Sequence, residues 1–129
     1  MLDNNLKKII VNTLVDEIKN IELITLFGSA TNSYFDKNKS DIDIAFLSPD
    51  NIGNVQRWNI QEKLASLLNI DIDLVDLNNS NDVLRFEAIL KGENIFIKPS
   101  NKMECFLDSV FINYIQLNED RAEILQAYQ

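Results

Sequence analysis

Leu23-Ile24-Thr25-Leu26-Phe27-Gly28-Ser29, an apolar run closed by a Gly-Ser pair, and Asp41-Ile42-Asp43, which follows after eleven intervening residues, are the two stretches on which the reading of this chain rests. The first predicts a strand. The glycine at its end leaves room for a phosphate to approach the backbone, since it carries no Cβ. From Asp41 to Leu47 the alternation of a strand puts Ile42, Ile44 and Phe46 on one face and Asp41, Asp43 and Ala45 on the other. Carboxylates two positions apart on a strand stand roughly 6–7 Å from each other, a span that one or two cations bridge. A glycine-ended strand beside paired carboxylates suits a nucleoside triphosphate carried with divalent metal ions.

Around these stretches, helix and strand alternate. Leu6, Ile9, Ile10, Leu14 and Ile18 predict a helix over 4–19, ahead of a strand over 22–27. After the second strand, 41–47, Val55, Trp58, Leu64, Ala65 and Leu68 predict a helix over 54–68, with Trp58 as a core anchor. A third strand is expected over 70–77, where Ile70, Ile72 and Leu74 alternate with Asp71 and Asp73. That second acidic pair supplies a third carboxylate if the strands are neighbours. Ser80 or Asn81 can cap a helix carrying Val83, Leu84, Phe86 and Leu90 and stopping at Gly92. A short strand over 94–98 precedes Pro99. Asn101 to Glu104 reads as a capping box opening a long helix with a break near Asn118. Met103, Leu107, Val110, Tyr114, Leu117, Ile124 and Tyr128 form its stripe. Phe106 and Phe111 widen that stripe, for packing on the sheet or for a partner.

At 129 residues and 46% apolar, the chain is expected to form one domain over 1–129, with 101–129 as its C-terminal helical segment. The net charge of −8 argues against a broad nucleic-acid surface, which needs clustered Lys and Arg. It does not argue against a nucleotide whose charge is already neutralised by magnesium, and it suits a basic protein partner. Histidine is absent, which removes the usual base of Ser or Cys nucleophiles and makes a zinc site improbable. Chemistry must then run on carboxylates, metals, Lys or Tyr. Cys105 is the single cysteine, so no internal disulfide forms, and it reads as a small helix-packing residue. No stretch is apolar enough to span a membrane and the N-terminus lacks a signal-peptide pattern, so a cytoplasmic protein is expected.

Leu26-Phe27-Gly28-Ser29, Ser40-Asp41-Ile42-Asp43-Ile44-Ala45, Ile72-Asp73-Leu74-Val75-Asp76-Leu77 and Val83-Leu84-Arg85-Phe86 carry a resemblance that covers residues 22–98. The chain resembles the minimal nucleotidyltransferases of the polymerase-beta superfamily, and most closely the MNT-domain antitoxins that pair with HEPN toxins. The resemblance implies an α/β (α+β) polymerase-beta-like fold, a small mixed sheet backed by helices. It also implies that Gly28 and Ser29 hold the β- and γ-phosphates of ATP, that Asp41 and Asp43 bind two Mg2+ ions, and that Asp73 is the third carboxylate, binding only the catalytic metal. Asp71 and Asp76 do not match the family pattern. The implied activity is transfer of AMP from MgATP to a tyrosine of a cognate HEPN ribonuclease toxin. A stoichiometric antitoxin without turnover is one alternative. A small-molecule nucleotidyltransferase is another, disfavoured because no room remains for a substrate domain. The chain departs from the family in a slightly longer loop after Ser29 and in Ala30-Thr31-Asn32-Ser33, where arginine and a second glycine are usual. Arg85 and Lys91 are read as nucleotide or partner contacts, Arg85 alternatively as a helix-surface charge, and Tyr34 as a loop aromatic.

Overall fold

The first strand, β1 (Leu23–Phe27), is buried along its whole length. It lies inside a four-stranded sheet with helices on both faces. The structure is a computed structural model describing residues 3–28 and 41–127. Helix α1 (Asn4–Glu17) precedes β1, and β2 (Ile42–Leu47), α2 (Asn54–Leu68) and β3 (Ile72–Asp76) follow it. A 3-10 turn, Leu77–Asn79, leads into α3 (Asp82–Lys91), β4 (Glu93–Ile97) and the long α4 (Asn101–Ala127). The strand order is β3-β2-β1-β4. β1 runs antiparallel to β2 and β4, whereas β2 and β3 are parallel, as their connection through α2 requires.

Alternation divides the core in two. Ile42, Ile44, Phe46, Ile72 and Leu74 face a cluster with Ile10, Leu14 and Ile18 near α1 and with Ile60, Leu64 and Leu68 of α2. Leu23, Phe27, Ala45 and Leu47 face the other way, onto Leu77, Ala88 of α3 and Met103 of α4. Leu64 is fully buried, so truncating it to Ala is expected to cost about 2–5 kcal/mol. α3 ends hard against β1: a Cβ on Gly92 would overlap the Ala88 carbonyl and approach Thr25 Oγ1 to 2.6 Å. α2 ends at Asn69 in the left-handed conformation, which asparagine tolerates better than most residues.

Several expectations need correction. Trp58 is not a core anchor, being 55% exposed, and Val55 is 74% exposed. The buried stripe of α2 is Ile60, Leu64 and Leu68, four apart, and Trp58 falls off it. Cys105 is exposed rather than packed. The third strand covers only Ile72–Asp76, with Leu77 already in the 3-10 turn. α4 is capped one residue earlier than the capping-box reading, since the Met103 amide donates to Ser100 Oγ at 3.0 Å. It runs through Asn118 without a break. Its first half packs: Met103 and Val110 are buried, and Tyr114 meets Phe86 edge to face at 5.3 Å between ring centroids. Phe111, Ile112 and Ile115 stay exposed. No helix of the described residues is long and apolar enough to cross a membrane.

Candidate functional site

One row across the sheet builds the site. Phe27 at the end of β1 pairs with Asp43 of β2, and Asp43 pairs with Asp73 of β3. Successive strands lie about 4.8 Å apart, so the glycine end of β1, Asp43 and Asp73 stand side by side. All three belong to the face that carries Ala45 and Phe27, opposite the α1/α2 core. Asp41, exposed immediately before β2, adds a third carboxylate. Gly28 has φ +66, a left-handed conformation that side chains strain, and a Cβ on it would overlap Asp43 Oδ2. Only glycine therefore fits where the chain turns over this carboxylate. Ser29 and Tyr34 lie outside the described residues.

The electrostatics follow from the row. Asp43 is half-buried, and burial, then the neighbouring charges of Asp73 and Asp41, push its carboxyl above the usual carboxylate range. Asp71 is not among the causes and sits exposed just ahead of β3, where its backbone carbonyl accepts from the Ile42 amide at 2.9 Å. Of the second acidic pair, Asp73 alone joins the site. Among the described residues no three acidic or cysteine side chains close tightly enough to hold a metal ion. An all-carboxylate donor set fits a hard divalent ion such as magnesium.

Asp76 is a carboxylate of another kind. It is buried and accepts from the Asn78 amide at 3.0 Å and from Asn79 Nδ2 at 2.8 Å, which shapes the 3-10 turn. Arg85 supports the same turn: Nε donates to the Leu77 carbonyl at 2.9 Å and Nη2 to that of Asn78 at 3.0 Å, and the guanidinium lies 4.9 Å from the Phe106 ring centroid. These contacts tie the turn to α4 and away from the carboxylate row. Lys91 pairs with Glu87 one helical turn earlier, at 3.0 Å on the surface. Arg85 is thus engaged by the turn and Lys91 by a surface ion pair.

Two residues that the sequence reading did not single out fix the backbone next to Asp73, at Leu74. β3 is an edge strand, and at Leu74 both backbone groups are satisfied from α2. Arg57 Nη1 donates to the Leu74 carbonyl at 2.8 Å, and the Leu74 amide donates to Gln61 Oε1 at 2.9 Å. Their spacing of four residues puts both on one side of α2. That spacing was visible in the sequence, but nothing there indicated which strand would be the edge. Beside them a groove of about 250 Å³ follows the free edge of β3, with Asp73 at its wall together with Asn54, Arg57, Asn79 and Ser80.

Comparison with known proteins agrees with this geometry. Residues 7–101 match the family described as polymerase beta, nucleotidyltransferase. The chain is 36% identical over 116 residues to the protein adenylyltransferase MntA of Shewanella oneidensis, covering 90% of this chain and 82% of that protein. It superposes with a TM-score of 0.76 and 32% identity, over 98% of both chains, on a chain from the tri-AMPylated Shewanella oneidensis HEPN toxin in complex with MNT antitoxin. A toxin–antitoxin crystal structure with AMP-PNP gives a TM-score of 0.79 at 35% identity, over 94% of this chain and 96% of that one.

Proposed function

The chain belongs to the polymerase beta nucleotidyltransferase family, and from that premise we propose that it is a protein adenylyltransferase antitoxin, moving AMP from ATP onto a tyrosine of a cognate HEPN toxin. The observation that carries this reading is the row Phe27–Asp43–Asp73, which sets a glycine-ended strand and two carboxylates shoulder to shoulder. In support, the similar protein is itself named a protein adenylyltransferase, the toxin in the matching complex is AMPylated, and another match was crystallised with an ATP analogue.

In this reading Gly28 and Ser29 cradle the β- and γ-phosphates, and the bare Gly28 backbone lets them settle beside Asp43. Asp41 and Asp43 would hold the two Mg2+ ions, and Asp73 would bind only one of them. When bound, these ions neutralise the triphosphate and favour the deprotonated hydroxyl. The order of the sheet suits in-line displacement, with the leaving pyrophosphate at the β1 end and the acceptor on the Asp73 side. The tyrosine oxygen bonds to the α-phosphorus, the bond from that phosphorus to the bridging oxygen breaks, pyrophosphate leaves, and the hydroxyl proton passes to solvent beside Asp73. Residues 1–129 act as one minimal nucleotidyltransferase domain, with 101–129 as its helical tail, working in the cytoplasm where MgATP is available.

The test is incubation of the protein with α-labelled ATP, Mg2+ and its HEPN toxin, followed by mass spectrometry of the toxin. An adenylyl group on a tyrosine is the expected result. An unmodified toxin that is nevertheless inactivated would replace this reading with stoichiometric masking.

A further inference from the structure

Trp58 is the largest side chain in the protein and stands more than half exposed on α2. Its neighbours on that helix explain what it faces. Asn54, Arg57, Trp58 and Gln61 are spaced three and four apart and so share one side of α2. Arg57 and Gln61 of this set bind the free edge of β3, and Asn54 and Arg57 line the groove that reaches Asp73. The Arg57 guanidinium spends one of its five donors on Leu74 and makes no other hydrogen bond among the described residues. Val55, also exposed, extends the apolar surface beside Trp58.

In-line transfer needs the attacking oxygen opposite the departing pyrophosphate. With the phosphates at the β1 end and Asp43 in the middle, the acceptor must approach from β3, the open edge of the sheet. That edge cannot accept an added strand at Leu74 or Asp76, because α2 occupies the first and Ser80 Oγ takes the Asp76 carbonyl at 2.7 Å. An incoming chain must therefore be gripped by side chains. Tryptophan and arginine are among the residue types most enriched where protein contacts carry affinity.

We infer that the β3-edge groove and the adjoining face of α2, Asn54, Arg57 and Trp58, form the docking subsite for the polypeptide segment that presents the acceptor hydroxyl. This rests on the reading of the chain as a protein adenylyltransferase. The occupant is a segment of the acceptor protein, fed past Trp58 along the groove to Asp73.

The experiment measures binding and transfer separately, with the full chain and intact HEPN toxin. The double variant Trp58→Ala/Asn54→Ala, whose residues are both exposed, is expected to weaken toxin binding at least about ten-fold by calorimetry while leaving MgATP affinity within about two-fold. Under steady state the acceptor KM rises and the ATP KM does not. Trp58→Tyr restores most of the binding, which a general loss of fold would not allow. Phe111→Ala, an exposed aromatic removed from α4, serves as control and leaves binding unchanged. Unchanged toxin affinity in the double variant overturns the inference, as does loss confined to the Phe111 variant, or cross-linking from a photoreactive residue at position 58 only to a second copy of this chain. Binding decides the docking subsite; the absence of transfer by the wild type would instead defeat the functional reading.

Discussion

Asp43 and Asp76 lie on neighbouring strands three register positions apart, and the protein treats them in opposite ways. Asp76 is buried with two hydrogen-bond donors from Asn78 and Asn79 aimed at its oxygens. Asp43 is half-buried beside Asp73 and Asp41, and among the described residues no side-chain hydrogen bond reaches its carboxylate or that of Asp73. A carboxylate whose needs are met inside the fold supports structure. One left beside like charges stores an electrostatic cost that an external cation relieves. The comparison separates the stabilising end of the sheet from its working end.

The hardest test of that separation is Asp43→Ala, which is expected to lower AMP transfer by about 10³-fold. MgATP at a hundred times its Kd would stabilise the wild type by about 2.7 kcal/mol, and the variant should show little of that thermal shift. Comparable shifts in both would move the nucleotide site elsewhere. Gly28→Ala comes next: its strained backbone costs about 1–3 kcal/mol, and displacing Asp43 Oδ2 is expected to slow transfer about 10²-fold. A variant with wild-type kinetics would show that the close approach is dispensable.

Asp76→Ala should do the reverse. Its loss orphans the Asn78 amide and frees the turn, costing about 2 kcal/mol in denaturant unfolding. MgATP affinity per folded molecule should stay within about two-fold, because Asp41 and Asp43 lie outside that network. The smallest effect is the dependence on pH. The raised carboxyl of Asp43 means that the fold favours its protonated form. The associated stability is full below the unfolded-state pKa of about 3.9 and is lost as pH rises through the folded value. Without Mg2+, Asp43→Asn should therefore melt with the wild type in acid and above it near neutrality. A gap that closes as pH rises would contradict the assigned cause.

How much of this was legible depended on whether the signal was local. Among the described residues, the four strands and four main helices were located to within a few residues: the helices by their spacing, β1 by an unbroken apolar run, and β2 and β3 by alternation, since one buried face imposes a period. The pair Asp41 and Asp43 stood out for the same reason. Strand order was not legible, since it depends on which faces meet, so periodicity alone could not choose between Asp71 and Asp73 and only the family resemblance singled out Asp73. Trp58 misled because its size suggested burial, whereas the two-residue offset from Ile60 turns it away from the core. Arg57 and Gln61 look like ordinary surface residues until β3 is known to be an edge. Arg85 matched a family stretch and even so serves the Asp76 turn.

Asp73→Asn is the variant that tests the central claim most directly, being close to isosteric and removing one charge from the row. With MgATP binding confirmed by calorimetry, the quantity to measure is the single-turnover rate of adenylyl transfer to the intact HEPN toxin. The account predicts that the variant still binds MgATP and toxin while transferring at least about 10²-fold more slowly than the wild type. Transfer at the wild-type rate by Asp73→Asn would contradict it.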